Sequence, residues 1–357
     1  VTSERETRGS TGRRLRRAAA LALAAGACVG CSWFKGPINA SPSLRWWLFS
    51  NFGAQRLCPE MLGRSAPLKI APNPNTLGRL FPASCQTTVN DAAQTVTLAF
   101  SGSGFAWTPV AGRVAFTVVA SVEYRMDFYL ADDAVYIFAR PARTVLGPTF
   151  QVTSIENSLV NWAAQGPAGY LVNSFGTQVV TGELASGFTV VHADDGDSFA
   201  LGQLSPPARP PQPFDTSDER YAIVNETAEV HADQLDLIGP LTVATSDQAL
   251  FVRLVSTGPA VDVLLIRRGT GDLWRQGLQN GLGLGPPPEP AISTFQLAPG
   301  FPLQQRFPLP PGQYYLAIDN SSRVGTTNPP FNLLGGLGSN TAVVSTAVEL
   351  GDSDDEF

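Results

Sequence analysis

The chain has 357 residues, with 34 glycines, 29 prolines and only 15% charged side chains, a profile that fits many short strands with turn punctuation rather than helix bundles. Its formal net charge is −6, and the acidic excess lies in residues 204–357, which hold eight basic and seventeen acidic side chains. A phosphate backbone would be repelled by that half, so no nucleic acid is expected as a partner.

The N-terminal stretch carries the strongest signal. Arg13, Arg14, Arg16 and Arg17 precede an apolar run from Ala18 to Ala27, followed by Cys28-Val29-Gly30-Cys31-Ser32. A run of this length is too short to span a bilayer as a helix, which needs ~20 apolar residues, but it suits a cleavable export signal. The segment ending at Cys31 resembles the lipobox of bacterial lipoproteins, with Cys28 standing where an aliphatic residue is usual. Ala25-Gly26-Ala27-Cys28 resembles a lipobox in a second frame. The resemblance implies a lipid anchor on the cysteine, a location in the cell envelope and the membrane as a partner. Ser32, rather than an aspartate, then favours the outer membrane, on its periplasmic or surface side.

Cysteine parity separates the two frames. Cleavage before Cys31 discards Cys28, commits Cys31 to lipid and leaves Cys58 and Cys85 as an even pair suited to a disulfide in an oxidising compartment. Cleavage before Cys28 leaves three further thiols. Cys31 is therefore the favoured lipidation site, with residues 1–30 as the signal peptide. Removing them takes the net charge to −10.

In chain order, residues 31–43 read as a tether. Leu44 to Phe52, LRWWLFSNF, is apolar on nearly every side. It is expected to pack on the domain core, the alternative being a place in the membrane interface, where tryptophan is favoured. Cys58 to Leu62 starts a helix with Pro59 in its first turn. Pro67, Pro72, Pro74 and Pro82 keep the following chain extended up to Cys85, and a Cys58–Cys85 bridge would staple this irregular segment.

From Gln86 to Glu156 the pattern is β, with strands over 95–100, 113–122, 123–130, 135–139 and 150–155 and a turn at Asp132-Asp133. Asn157 caps a helix over 158–165, and a second helix runs from about Ala168 to Ser186. Phe188 to Phe199 reads as a hairpin turning at Asp195-Gly196. Residues 44–203 thus form an α+β domain.

Leu204 to Pro213 holds five prolines and reads as a stiff spacer within a 204–214 linker. Beyond it, seven short strands are expected at 222–231, 235–237, 250–255, 261–266, 294–297, 314–318 and 342–349. They make an antiparallel β-sandwich over 215–350, followed by an acidic, disordered tail over 351–357. Gly277 to Pro290 reads as a surface loop. The fold class is mainly β with a few helices.

Leu309-Pro310-Pro311-Gly312-Gln313-Tyr314-Tyr315-Leu316-Ala317-Ile318-Asp319-Asn320-Ser321, preceded by Val261 to Ile266, resembles the late strands of two β-sandwich modules. These are the bacterial pre-peptidase C-terminal domain and the GOLD domain. Both are binding or targeting appendages, so the resemblance implies a non-catalytic role. The first domain loosely resembles tubular lipid-binding domains of envelope proteins, at the level of fold alone.

Catalytic motifs are absent from the sequence. His192 and His231 are the two histidines, and neither has cysteine or histidine neighbours at zinc spacing. Asp194, Asp195 and Asp197 lack the spacing and terminal Glu of a calcium loop. Gly281 to Pro286 lacks the third glycine of a dinucleotide-binding turn, and no nucleophile elbow or P-loop occurs. No cofactor, metal site or catalytic residue is expected. The reading is a lipid-anchored binding or scaffolding module that contacts an envelope protein, a polysaccharide or a lipid. The alternatives are a carrier with an apolar cavity between the first sheet and the 168–186 helix, and a hydrolase built on His192 or His231.

Overall fold

The computed structural model describes residues 32–69, 73–109, 111–156, 187–216, 219–327 and 340–357. Cys28, Cys31 and the two helices expected over 158–165 and 168–186 lie outside the described residues.

The chain is mainly β with a few helices. It opens with α1 (Ser32–Ala40), α2 (Pro42–Leu48), a π-helical turn (Phe49–Gly53) and α3 (Ala54–Leu62). Of the stretch 31–43, expected as a tether, the described residues 32–43 are therefore largely helical. Ser41 caps α2 by accepting from Leu44 N, and Pro42 supplies the preset φ of a first helical residue. Asn39 fastens α1 to the first sheet by a reciprocal pair, donating to Leu130 O and accepting from Leu130 N, both at 2.9 Å. The helix expected from Cys58 begins four residues earlier, at Ala54, with Pro59 inside it.

Strands β1 (Ala66–Lys69), β2 (Thr76–Asn90), β3 (Thr95–Thr108), β4 (Gly112–Leu130), β5 (Ala134–Ile155), β6 (Phe188–Ala193) and β7 (Gly196–Leu201) follow in antiparallel sequence order. The chain from 76 to 85, expected to be irregular, is the first half of β2. Its Pro82 is accommodated at a register shift against β3 between Pro82 and Ser84, as proline inside a sheet requires. β4 and β5 are each far longer than the short strands expected. They stay paired from Leu130↔Val135 to Val114↔Ile155 through several bulges, which bend the sheet. The hairpin turns at Asp194-Asp195, one residue earlier than expected, because Ala193 pairs with Gly196.

The second half contributes β8 (Tyr221–Val230), β9 (Gln234–Val243), β10 (Gln248–Thr257), β11 (Val261–Arg267), β12 (Ser293–Leu297), β13 (Leu303–Pro308), β14 (Gly312–Asn320) and β15 (Ala342–Asp352). Helix α4 (Arg268–Gln279) follows β11 directly. Neither α4 nor β13 is foreseen in the sequence, and α4 takes the first residues of the stretch expected as the Gly277–Pro290 loop. The tail expected to be disordered is held in place: β15 runs on to Asp352, and Arg306 donates to Ser353 O at 2.8 Å and Asp355 O at 2.9 Å. Strands β8-β15-β10-β13 lie opposite a second sheet in the order β12-β11-β14-β9, and their facing aliphatic side chains make one core.

The main sheet runs on from β7 into β8, through the single parallel bridge Gly196↔Ala222. A second bridge, Thr76↔Ala228, brings β2 to the same strand. The β2–β7 run is thus bent round until its first and last strands both touch β8. Gly196 permits this closure: its φ is +144°, and a Cβ there would lie 2.5 Å from Ala222 O. The proline-rich stretch is pinned at the junction, with Tyr136 Oη donating to Pro207 O at 3.0 Å and Arg209 bridging Asp195 and Asp133.

Candidate functional site

Three groupings of polar side chains stand out; the first two lie where elements from the two halves meet, and the third lies within the second sheet of the sandwich. The first centres on Asp197, in β7. The Nδ1 of His192 lies 2.6 Å from Asp197 Oδ1, because the two residues sit opposite each other in the β6–β7 ladder. Arg64, just beyond α3, and Tyr221, at the start of β8, donate to the same carboxylate. Burial opposes ionisation of Asp197. The His192 hydrogen bond, the Arg64 charge and the Tyr221 hydroxyl outweigh it and hold its pKa below the ordinary range. Burial and the neighbouring carboxylate push the Tyr221 hydroxyl pKa up. A histidine oriented by a buried aspartate is the acid–base half of a hydrolytic triad. Among the described residues no serine hydroxyl is hydrogen-bonded to His192, and the other partners of Asp197 tie α3, the hairpin and β8 together.

The second grouping is the seam between β2 and the sandwich. Arg79, on β2, is 2% exposed and donates through Nε to Asp236 Oδ1 at 2.6 Å and through Nη2 to Asp236 Oδ2 at 2.8 Å. Its Nη2 also donates to Glu226, on β8. Burial would lower the Arg79 pKa, but the two carboxylates more than reverse that. Beside it, the His231 ring stacks on the Trp107 indole with centroids 3.4 Å apart and planes 6° from parallel. His231 Nδ1 lies 2.9 Å from Thr341 Oγ1, while its buried Nε2 has no hydrogen-bond partner. Burial depresses the His231 pKa, against the pull of Glu229. A recess of about 20 Å³, lined by Thr76, Trp107, Glu229, His231 and Asp236 among others, opens here. It has room for about one water molecule, far below the several hundred Å³ of a small-molecule site.

The third grouping pairs Asp262 on β11 with Asp319 directly opposite on β14. Asp262 accepts from Thr327 N at 2.8 Å and Thr327 Oγ1 at 2.5 Å. Asp319 accepts from Ser321 Oγ at 3.0 Å. Burial pushes the Asp319 pKa up to about 7, with the Asp262 and Asp233 charges adding to the rise and the Ser321 hydrogen bonds opposing it.

The other residues singled out in the sequence fall as follows. Cys58 and Cys85 are joined by a disulfide that links α3 to β2. Tyr314 and Tyr315 stand in the middle strand of the β9-β14-β11 group. Tyr314 Oη donates to Pro310 O at 2.6 Å and Tyr315 Oη to Asp272 Oδ1 at 3.0 Å. Asn320 is fully buried and donates to Val230 O and Asn340 O, each at 2.8 Å. The Gly-Gln-Tyr-Tyr segment is thus an architectural centre. Of LRWWLFSNF, Trp46 and Phe49 enter the core while Trp47 and Phe52 face outward, so the segment both packs and presents aromatics. Arg64, Arg79, Tyr221 and Asp236 are missed by sequence reasoning. A lone arginine in an apolar strand such as LGRLF is the sequence sign that Arg79 offered.

Among the described residues no helix is long and apolar enough to cross a membrane. Among the same residues no group of three or more His, Cys, Asp or Glu side chains is placed to hold a metal ion. No family model matches the chain, and no curated protein matches it. One similar solved structure is a glycoside hydrolase family 43 arabinoxylan arabinofuranohydrolase from Bacillus subtilis in complex with cellotetraose. It has 8% identity, covers 77% of this chain and 67% of the other, and has a TM-score of 0.22, too low to bear on fold or activity.

Proposed function

We propose that this protein is a lipid-anchored module of the bacterial cell envelope, acylated at Cys31, that binds or scaffolds another envelope component without catalysing a reaction. The observation that carries the reading is the Arg13–Ser32 segment, in which a basic cluster, a short apolar run and a cysteine follow one another. The Cys58–Cys85 bridge supports it, because disulfides persist in exported proteins. So does the use made of the polar clusters. Asp197 and Arg79 spend their hydrogen bonds on joining the curved sheet to the sandwich, and the His231 recess is of one-water size. The sandwich with its Gly-Gln-Tyr-Tyr centre would be the part that meets the partner, as in the appendage modules that this segment resembles.

Fractionation of cells expressing the full chain tests the anchor. After an alkaline carbonate wash that strips peripheral protein, wild type and Cys28→Ser are expected in the membrane fraction and Cys31→Ser outside it. Retention of Cys31→Ser in the membrane with loss of Cys28→Ser would move the anchor to Cys28. Wash-resistant membrane association of the double variant would refute acylation as the means of attachment, since interfacial side chains alone give only reversible binding.

A further inference from the structure

Trp47 is 53% exposed and Phe52 45% exposed, and their rings meet edge to face with centroids 6.0 Å apart. Leu44, one turn earlier, is 37% exposed. The π-helical turn makes this arrangement possible. Its wider winding brings residues five apart onto one face, so Phe52 falls beside Trp47 while Trp46 and Phe49 stay in the core. Leaving two aromatic rings in water costs hydrophobic free energy that burial elsewhere would recover.

The exposed residues along this helical run, from Ser43 to Gln55, are uncharged: Ser43, Leu44, Trp47, Asn51, Phe52 and Gln55. The polar side chains on this stretch turn their donors back on the helix: Asn51 Nδ2 donates to Trp47 O at 2.8 Å, Ser50 Oγ to Trp47 O at 3.2 Å and Gln55 Nε2 to Asn51 O at 3.2 Å. Carbonyls loosened by the π-turn are thereby satisfied internally, which lowers the cost of removing the face from water. Of the nearby cations, Arg45 is committed to Asp127 and Lys35 to Asp132, while Arg56, half-buried on α3 four residues beyond Phe52, stands at the edge of the face.

We infer that this face, formed by α2, the π-helical turn and the start of α3, seats in the headgroup–acyl boundary of a lipid bilayer, with Trp47 and Phe52 as its anchors. The inference rests on the lipid-anchor reading, since the position of Cys31 selects the occupant. Cys31 immediately precedes α1, and α1 is fastened to β4 through Asn39, so an acyl chain there leaves no long tether between membrane and body. Leu44 is thirteen residues from that cysteine. Phe34, 56% exposed on α1, adds a further outward aromatic near the anchor. Aromatic side chains with uncharged exposed neighbours suit the interface, where tryptophan is enriched.

The test uses the mature chain from residue 31 with Cys31→Ser, so that neither an acyl group nor the basic and apolar residues 13–27 contribute, floated with vesicles of phosphatidylcholine alone or with added phosphatidylglycerol. Binding is expected in both, with little dependence on salt, and Trp47→Ala/Phe52→Ala should weaken it about tenfold. Brominated lipid should quench the wild-type fluorescence more than that of Trp47→Phe. Equal partition of the double variant and equal quenching would overturn the inference while leaving acylation, read separately by mass, untouched. Vesicle binding by a protein that is never acylated in cells would support this face and refute the anchor. A dimer that Trp47→Ala/Phe52→Ala dissociates, with no vesicle binding, would assign the face to a second copy and overturn the inference.

Discussion

Inside the sandwich, Leu250, Leu254, Val263, Leu316 and Ile318 are fully buried in an aliphatic layer between two sheets. At the seam, Arg79 is nearly as well buried, but its neighbours are the carboxylates of Asp236 and Glu226. Both regions are largely closed to water, and they respond differently to misplacement. Aliphatic side chains repack at modest cost, whereas a buried guanidinium displaced from its carboxylates is left charged and unpaired. The seam therefore fixes how the curved sheet sits on the sandwich, and the sandwich supplies the apolar burial.

The largest expected effect is at Arg79. Arg79→Ala should cost about 3–5 kcal/mol in chemical denaturation, because it strands Asp236 and Glu226. Replacing all three by apolar residues of similar volume should recover most of the loss. An Arg79→Ala variant within about 0.5 kcal/mol of wild type would remove the contrast between seam and sandwich. Opening the Cys58–Cys85 bridge, which holds α3 against β2, should cost ~3 kcal/mol, measured on the Cys58→Ala/Cys85→Ala variant.

Titration sharpens the same comparison. Asp319 keeps its proton up to about pH 7 in the folded protein but has an ordinary carboxylate pKa when unfolded. The folded state therefore binds more protons, and stability should fall as pH rises from about 4 to 7. Asp319→Asn should flatten that slope. Asp197 has the opposite sign: its pKa is depressed on folding, so its contribution is present above the ordinary carboxylate range and lost as pH falls through it. Denaturation midpoints across pH should separate the two, and an Asp319→Asn profile identical to wild type would contradict the assignment.

Smaller effects are expected where packing alone is trimmed. Ile318→Val, in the sandwich interior, should cost about 1 kcal/mol. Trp47→Ala, on the outward face, should change solution stability by no more than about 0.5 kcal/mol. A larger loss would mean that Trp47 belongs to the core.

The same contrast explains what was legible in the sequence. Most strands of the second half announced themselves by runs of Val, Leu and Ile, because apolar patterning is what a sandwich requires. Helix α4 did not, since Gly269, Gly271 and Gly277 interrupt its pattern. Gly271 is there because Tyr315 packs so closely that a Cβ would fall 2.4 Å from its ring. The long β4 and β5 strands were read as fragments because Pro141 and the bulges break their alternation. The seam was illegible for another reason. Arg79 lies 147 residues from Glu226 and 157 from Asp236 in the chain, and only the closure of β2 against β8 brings them together. The two histidines were visible but their partners were not: Asp197 is five residues from His192, a spacing that gains meaning only once the hairpin register is known.

Intact-mass analysis of the full-length protein extracted from the membranes of an expressing bacterium tests the central claim most directly. The account predicts a mature chain that begins at Cys31, carries acyl mass on that residue and has Cys58 and Cys85 oxidised. A mature chain without acyl mass, or with free thiols at Cys58 and Cys85, would contradict it.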